Sequence, residues 1–444
     1  MSNIYNFLNS VWLEILTENK QNKAFIPFLL LLITLPISMG LNNILLGIFV
    51  ATSFFYGRKI SNKISLTLLF PMLLFLWMSL SYFWSIDEQR TLQAIPKEIA
   101  FLLIPIAFLF IPTFSNEQKS KIIKYYSYAM TLYVVYYLVR AVVRFLITKD
   151  SSVFFYHGPD NDTDTGLVPR LLNAIHFSVY VAIAFFYFFI KEHKTKIQQL
   201  VSFVLFSFVI LLSSKNIILV FVLLILVQVF FYSKIANRLR LRNLTILLII
   251  LVGILSFGKI KERFLIEFTS NSEKSLSHNV KVNNEVGVSN ISIYEAWNNE
   301  KFTHNDFFPG TSFRVYQFRM FTEFLKEEPI FWKGFGLNAS LNKLLEKEKQ
   351  YNLYPGYGNF NFHNQYVQNF AELGLVGFLL LMVILFINTK IAFKSKDFIH
   401  IAFAILMISL FLTESFLWRQ RGVLFFILFY CLFNIKVNPQ LENK

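Results

Sequence analysis

Long apolar runs, separated by short polar links, dominate this chain and decide its class before any single residue does. Runs at 24–40, 43–57, 64–84, 98–112, 122–147, 171–190, 197–213, 216–232, 243–258, 373–389, 398–413 and 420–436 predict about twelve membrane spans. Several are shorter than the ~20 residues a straight helical span needs. Ahead of them, Ile4 to Leu16 gathers Phe7, Leu8, Val11, Trp12 and Ile15 on one side, which predicts an interfacial helix. The expectation is an all-α polytopic membrane protein in three parts: spans over 1–257, one large external loop over 258–372, and C-terminal spans with a cytoplasmic tail over 373–444. The loop must hold the soluble chemistry. Its stretch 273–290 is polar and aperiodic, so it reads as an irregular insertion. Two helices are predicted after it: 311–328, with Phe313, Phe318, Phe321 and Leu325 at helical intervals, and 338–350, opened by Asn338. The glycine-rich, aromatic 352–362 turns the chain into His363. No separate soluble domain is expected within the loop.

Composition and charge narrow this reading. A chain of 444 residues that is 55% hydrophobic and 18% aromatic is not an ordinary soluble domain. Its net charge of +15 sits mainly in short links, at 57–63, 191–196, 234–243 and 390–397, which share one side with both termini. That side is cytoplasmic by the positive-inside rule, and the charge is no nucleic-acid stripe. Cys431 is the single cysteine, so no intrachain disulfide can brace the loop. No cleavable signal is evident, because Glu14 and Glu18 precede the first run and no small-residue cleavage site follows it. No nucleotide fingerprint or zinc spacing occurs, so neither cofactor nor metal is expected. Asp160, Asp162 and Asp164 alternate as at the start of a calcium loop, but the glycine comes one place late and Leu171 stands where the loop needs Glu. A transporter would show ionisable residues at mid-bilayer and an internal repeat; neither is apparent.

The candidate chemistry centres on Phe362 to Phe386, where a histidine-bearing polar segment runs into an apolar span. A continuous helix would lift His363 about two to three turns above the bilayer. Val367, Phe370, Gly374 and Gly377 would continue its face into the membrane as a packing surface, with Glu372 opposite and unable to partner it. An interfacial histidine above a packing face and a functional histidine both fit. Arg314 and Arg319 share a helix but point about 140° apart. Arg319 has Glu323 at i+4, the spacing of a helix-face ion pair, whereas Arg314 has no carboxylate at i+3 or i+4. Its fork could therefore take a ligand anion or stay solvated. Arg170 and Lys215 stand at span ends on the same external side, as membrane anchors or, with Arg314, as cations facing a diphosphate. His176, inside its span, reads as a packing histidine. The turn at 333–338 reads as a plain turn in preference to an anion nest.

In the loop, Arg314, Phe318, Glu328-Pro329-Ile330-Phe331, Gly334-x-Gly336, His363-Asn364 and Ala371-Glu372-Leu373-Gly374-Leu375-Val376-Gly377 together resemble the O-antigen ligase and O-antigen polymerase superfamily of bacterial envelopes. Weaker matches extend through 81–85, 170–182 and 211–216. Lys215 departs from the family's arginine, which keeps the charge but loses bidentate phosphate recognition. Two extra residues also separate Pro329 from the first glycine of the turn. The resemblance implies a fold similar to metal-independent C-type glycosyltransferases in the bacterial inner membrane. It implies glycan transfer from an undecaprenyl-diphosphate donor to an acceptor hydroxyl on the periplasmic face. His363 would be the base, and Arg314 with Arg170 and Lys215 would hold the diphosphate. Tyr354, Tyr357 and Phe360 could stack on sugars or pack the loop. An O-antigen ligase acting on lipid A core is the preferred reading, ahead of a repeat-unit polymerase and of transfer to protein.

Overall fold

A computed structural model describes residues 2–57, 65–155, 164–212, 215–233 and 289–435, with 245, 248 and 252 as isolated positions. Helices build it. They run α1 (Ser2–Gln21), α2 (Phe25–Ile33), α3 (Met39–Tyr56), α4 (Leu66–Leu80), α5 (Glu88–Glu98), α6 (Ala100–Phe110), α7 (Asn116–Thr148), α8 (Ala174–Phe189), α9 (Lys196–Leu211) and α10 (Lys215–Val227). The loop adds α11 (Ile293–Asn298), α12 (Gly310–Glu327) and α13 (Ser340–Gln350), and α14 (Gln365–Ser395), α15 (Phe398–Phe411) and α16 (Gln420–Asn434) follow. The strands among the described residues are β1 (Ser289–Asn290) and β2 (Asp306–Phe307), a two-residue parallel pair. The chain is thus an all-α polytopic membrane protein.

Six described segments are long and apolar enough to cross a membrane: Met39–Tyr56, Leu66–Trp84, Glu88–Phe110, Asn116–Thr148, Lys215–Tyr232 and Gln365–Ser395. Helices α8, α9, α15 and α16 are apolar but shorter. The run at 243–258 lies outside the described residues apart from the isolated positions, as do 273–288. The run at 24–40 is not one long helix. It contains α2, whose nine residues reach only about 14 Å at 1.5 Å per residue, under half of the ~30 Å hydrocarbon thickness. Helix α5 likewise extends the expected span at 98–112 backwards, because Asp87 caps it by accepting from the Arg90 N–H. Helix α1 is docked on protein: Val11 and Ile15 pack inward, and Lys121 and Lys124 of α7 hold Glu18 and Glu14.

The expected unbroken helix through His363 is interrupted twice. His363 itself lies outside α14, with φ +47°, and Asn364 caps the helix by accepting from the N–H groups of Tyr366 and Val367. Gly374 then breaks α14 with φ +67° and ψ −167°. At that break the loop docks backbone to backbone, since Phe335 N–H donates to Ala371 O, Gly336 N–H to Glu372 O, and Leu375 N–H to Phe331 O, all at 2.8–2.9 Å. A Cβ on Gly374 would lie 2.3 Å from the Trp332 carbonyl, and one on Gly334 would lie 2.2 Å from the Glu372 carbonyl carbon. These glycines serve a strand-like clasp, which replaces the packing face expected at Gly374. In the 333–338 turn the N–H groups of Gly334, Phe335 and Gly336 donate to carbonyls, that of Leu337 to Ser81 Oγ and that of Asn338 to the Glu372 carboxylate. Trp77 Nε1 donates to Leu373 O and Trp84 Nε1 to Lys333 O, so α4 and the segment after it secure the clasp. Above it the loop does form its own apolar core, including Phe302, Phe308, Tyr316, Met320 and Phe324, separate from the core of the bundle. Aromatic density explains this core: helical periodicity alone did not reveal it.

Candidate functional site

His363 is fixed by its neighbours along the chain. Its N–H donates to Asn361 Oδ1 at 3.0 Å, and its Nδ1 lies 2.9 Å from Asn361 O. A carbonyl oxygen only accepts, so Nδ1 carries the hydrogen and Nε2 keeps its lone pair. Gln317 of α12 donates to the same carbonyl, which ties the histidine to the loop helix. Phe313 and Phe360 flank the ring, each with centroids 5.8 Å away. Burial pushes the imidazole below its usual pKa of 6.5; Glu414 and the Asn361 carbonyl pull it up, and Arg314 and Arg419 push it down. The net direction is down, which leaves a neutral ring at neutral pH.

A cleft of about 220 Å³ opens beside it, lined by Ile175, Phe308, Gly310, Phe313, Arg314, His363 and Glu414. Arg314 reaches it from the first turn and a half of α12, donating from Nε to Thr413 O at 3.1 Å and from one terminal nitrogen to Gly310 O at 2.8 Å. The guanidinium is therefore oriented by main-chain carbonyls. Asn364 Nδ2 donates to Leu412 O at 3.1 Å. Residues on both sides of the cleft thus grip the end of α15, and the next residue, Glu414, is presented to it.

Of the four residues singled out by sequence, His363 and Arg314 line this cleft; Arg170 and Lys215 do not. Lys215 opens α10 beside Asn216, whose Nδ2 donates to Thr413 Oγ1 at 2.9 Å and Ser409 O at 2.7 Å. It therefore stands one residue from the strut that holds Arg314. Arg170 is exposed on a 3₁₀ turn, and its N–H donates to Asp164 Oδ1 at 2.8 Å. Asp164 also accepts through its main-chain oxygen from Arg140 and Arg144; Asp160 and Asp162 lie outside the described residues. Among the described residues no group of three His, Cys, Asp or Glu side chains could hold a metal ion. His176 is buried against Phe416, with ring centroids 4.2 Å apart, as a packing histidine should be. The Arg319–Glu323 pair is present at 3.0 Å. Tyr357 packs half-buried against the loop core, its hydroxyl accepting from Phe308 N–H, whereas Tyr354 and Phe360 remain exposed.

Sequence reasoning missed Glu414 and Arg419. The signal was available: Thr413 to Arg421 is a short link carrying Glu414, Arg419 and Arg421 between two apolar runs.

These features define a multi-pass membrane protein with a small loop core that sets a neutral histidine and an arginine at the mouth of the bundle. Residues 200–382 match the family model described as O-antigen ligase. The match bears out the resemblance to the O-antigen ligase and polymerase superfamily over these residues. It spans Lys215, Arg314 and His363, while Arg170 and Glu414 fall outside it. No curated protein matches the chain.

Proposed function

We propose that this protein transfers a glycan from an undecaprenyl-diphosphate donor to an acceptor hydroxyl on the periplasmic side of the inner membrane, as an O-antigen ligase whose acceptor is lipid A core. The observation that carries this reading is the shared cleft of His363 and Arg314, with the Nε2 lone pair directed by the Nδ1 bond to Asn361. Nε2 takes the proton of the acceptor hydroxyl as its oxygen bonds to the anomeric carbon. The bond from that carbon to the diphosphate breaks, and the electron pair leaves with the diphosphate. Arg314 balances the charge that develops there, and a preoriented cation does so without reorganising during the reaction. Lys215 and Arg170 attract the donor to the rim.

Purified protein in nanodiscs, given lipid-linked glycan with and without lipid A core, tests this. Glycan attached to lipid A core is expected. Elongation of the lipid-linked glycan without lipid A core would make the protein a polymerase, and no product in either case would overturn transfer.

A further inference from the structure

Helix α12 is tied to the apolar helices near both of its ends. Near its N-terminus Arg314 bonds to Thr413, just past the end of the apolar helix α15, while near its C-terminus Phe324 meets Phe335 in the clasp at the break of α14. An 18-residue helix of about 27 Å that is tied down at both ends has a membrane side and an aqueous side. On a 100° wheel, Phe318, Phe321 and Leu325 lie within about 40° of Arg314, so they share its membrane side. The ion pairs of Arg319 and Glu323 occupy the other side.

Beyond Arg314 this side is apolar and partly open. Phe318 is 47% exposed and stacks on Trp297 of α11, which presents Tyr294 at 75% exposure. Ring contacts connect this patch to a span: Phe318 to Phe321, Phe321 to Phe370, and Phe370 to Phe378, with centroids 5.4–6.2 Å apart. Phe378 begins the outward stripe of α14 that continues through the exposed Met382 and Phe386. An apolar surface continuous with an outward apolar stripe, with the Arg319 and Glu323 ion pairs turned away and Arg314 held at the cleft end, fits hydrocarbon. We infer that the face of α11 and α12 formed by Tyr294, Trp297 and Phe318 is immersed in the adjacent membrane leaflet, so that the loop is a membrane-inserted element and its occupant is lipid.

This predicts that the donor reaches Arg314 from within the leaflet. The test places a nitroxide at residue 294 (Tyr294→Cys) and, as an aqueous control, at exposed Lys349 of α13 (Lys349→Cys). Both use full-length protein with Cys431→Ser, reconstituted in phosphatidylcholine nanodiscs. Tyr294 is exposed, so the label does not disturb the core. Oxygen should relax the label at 294 more than a water-soluble nickel chelate does, and the order should reverse at 349. A nickel-dominated signal at 294 would place the patch in water and overturn the inference. Shielding from both reagents would mean that protein, such as a second copy, covers the patch, and would overturn it equally. Neither result depends on glycan transfer, so the proposed reaction can fail without affecting this one.

Discussion

Arg314 and Arg319 share one helix, yet the protein treats them in opposite ways. Arg319 is enclosed on several sides: Nε bonds to Glu323 at 3.0 Å, the terminal nitrogens reach the main-chain oxygen of Asn299 at 2.7 Å and Tyr351 Oη at 3.0 Å, and the guanidinium lies over the Tyr351 ring. Lys347 adds a second cation at 2.7 Å from Glu323. Burial would raise the Glu323 pKa, but the bonds from Lys347 and Tyr351 outweigh it and hold the carboxyl below its usual range. This cluster fastens α11 and α13 to α12. Arg314 is oriented by carbonyls at the edge of a cleft, beside a histidine held neutral by burial. One arginine serves the structure, and the other is displayed.

The largest break in this comparison comes from the histidine on the displayed side. His363→Ala should abolish transfer, with a loss of about 10²–10⁴-fold for a missing general base, while the protein still inserts and accumulates. Glycan product in a deletion strain carrying the variant, compared with protein in the membrane, is the measurement. Normal attachment would remove His363 from the reaction.

Arg314→Lys comes next. The ammonium keeps the charge but cannot hold Thr413 O and Gly310 O while facing an anion, so a drop of roughly 10²-fold in donor turnover is expected. The melting temperature should move little by comparison. An unchanged rate would show that another cation faces the leaving group.

Glu414→Gln sharpens the contrast through pH. Glu414 raises the pKa of His363, so the neutral side chain of glutamine lets it fall further. The base must be neutral, so its activity is lost as pH falls through that pKa. A lower pKa therefore shifts the acid limb of the transfer rate to lower pH. A shift to higher pH would show that Glu414 acts on another group.

The difference between the arginines was half legible in the chain. The i+4 spacing announced the Arg319–Glu323 pair, because a helix fixes which residues meet within it. It could not announce Lys347 or Tyr351, which arrive from α13 through packing. Spacing also left Arg314 open to an anion, and the structure places it in a cleft; its carbonyl partners come from its own first turn and from a link a hundred residues later. The histidine was found by its place above a span, but the helix drawn through it was wrong. Asn364 starts that helix one residue too late to include it, and a wheel has no way to register the positive φ of Gly374. Glu414 escaped because a lone carboxylate at a span end looks like an anchor until a fold brings it opposite a histidine.

The smallest effect on transfer belongs to Arg319→Lys, and it separates structure from chemistry. Spacing alone would make this an exposed pair worth about 0.3–0.5 kcal/mol. The side chains are only 12% and 19% exposed, and lysine cannot reach Glu323, Asn299 and Tyr351 together. A stability loss of about 1–3 kcal/mol is therefore expected, the range for stranding a buried hydrogen-bonding group. Turnover per folded molecule should stay near that of the parent, because none of the Arg319 partners lines the cleft. The measurement pairs thermal unfolding in detergent with donor turnover normalised to folded protein. The assignment holds if Arg319→Lys lowers the melting temperature more than Arg314→Lys while costing less activity. Equal losses of activity would mean that the loop core and the cleft act as one unit, and that the two faces of α12 are not divided between structure and chemistry.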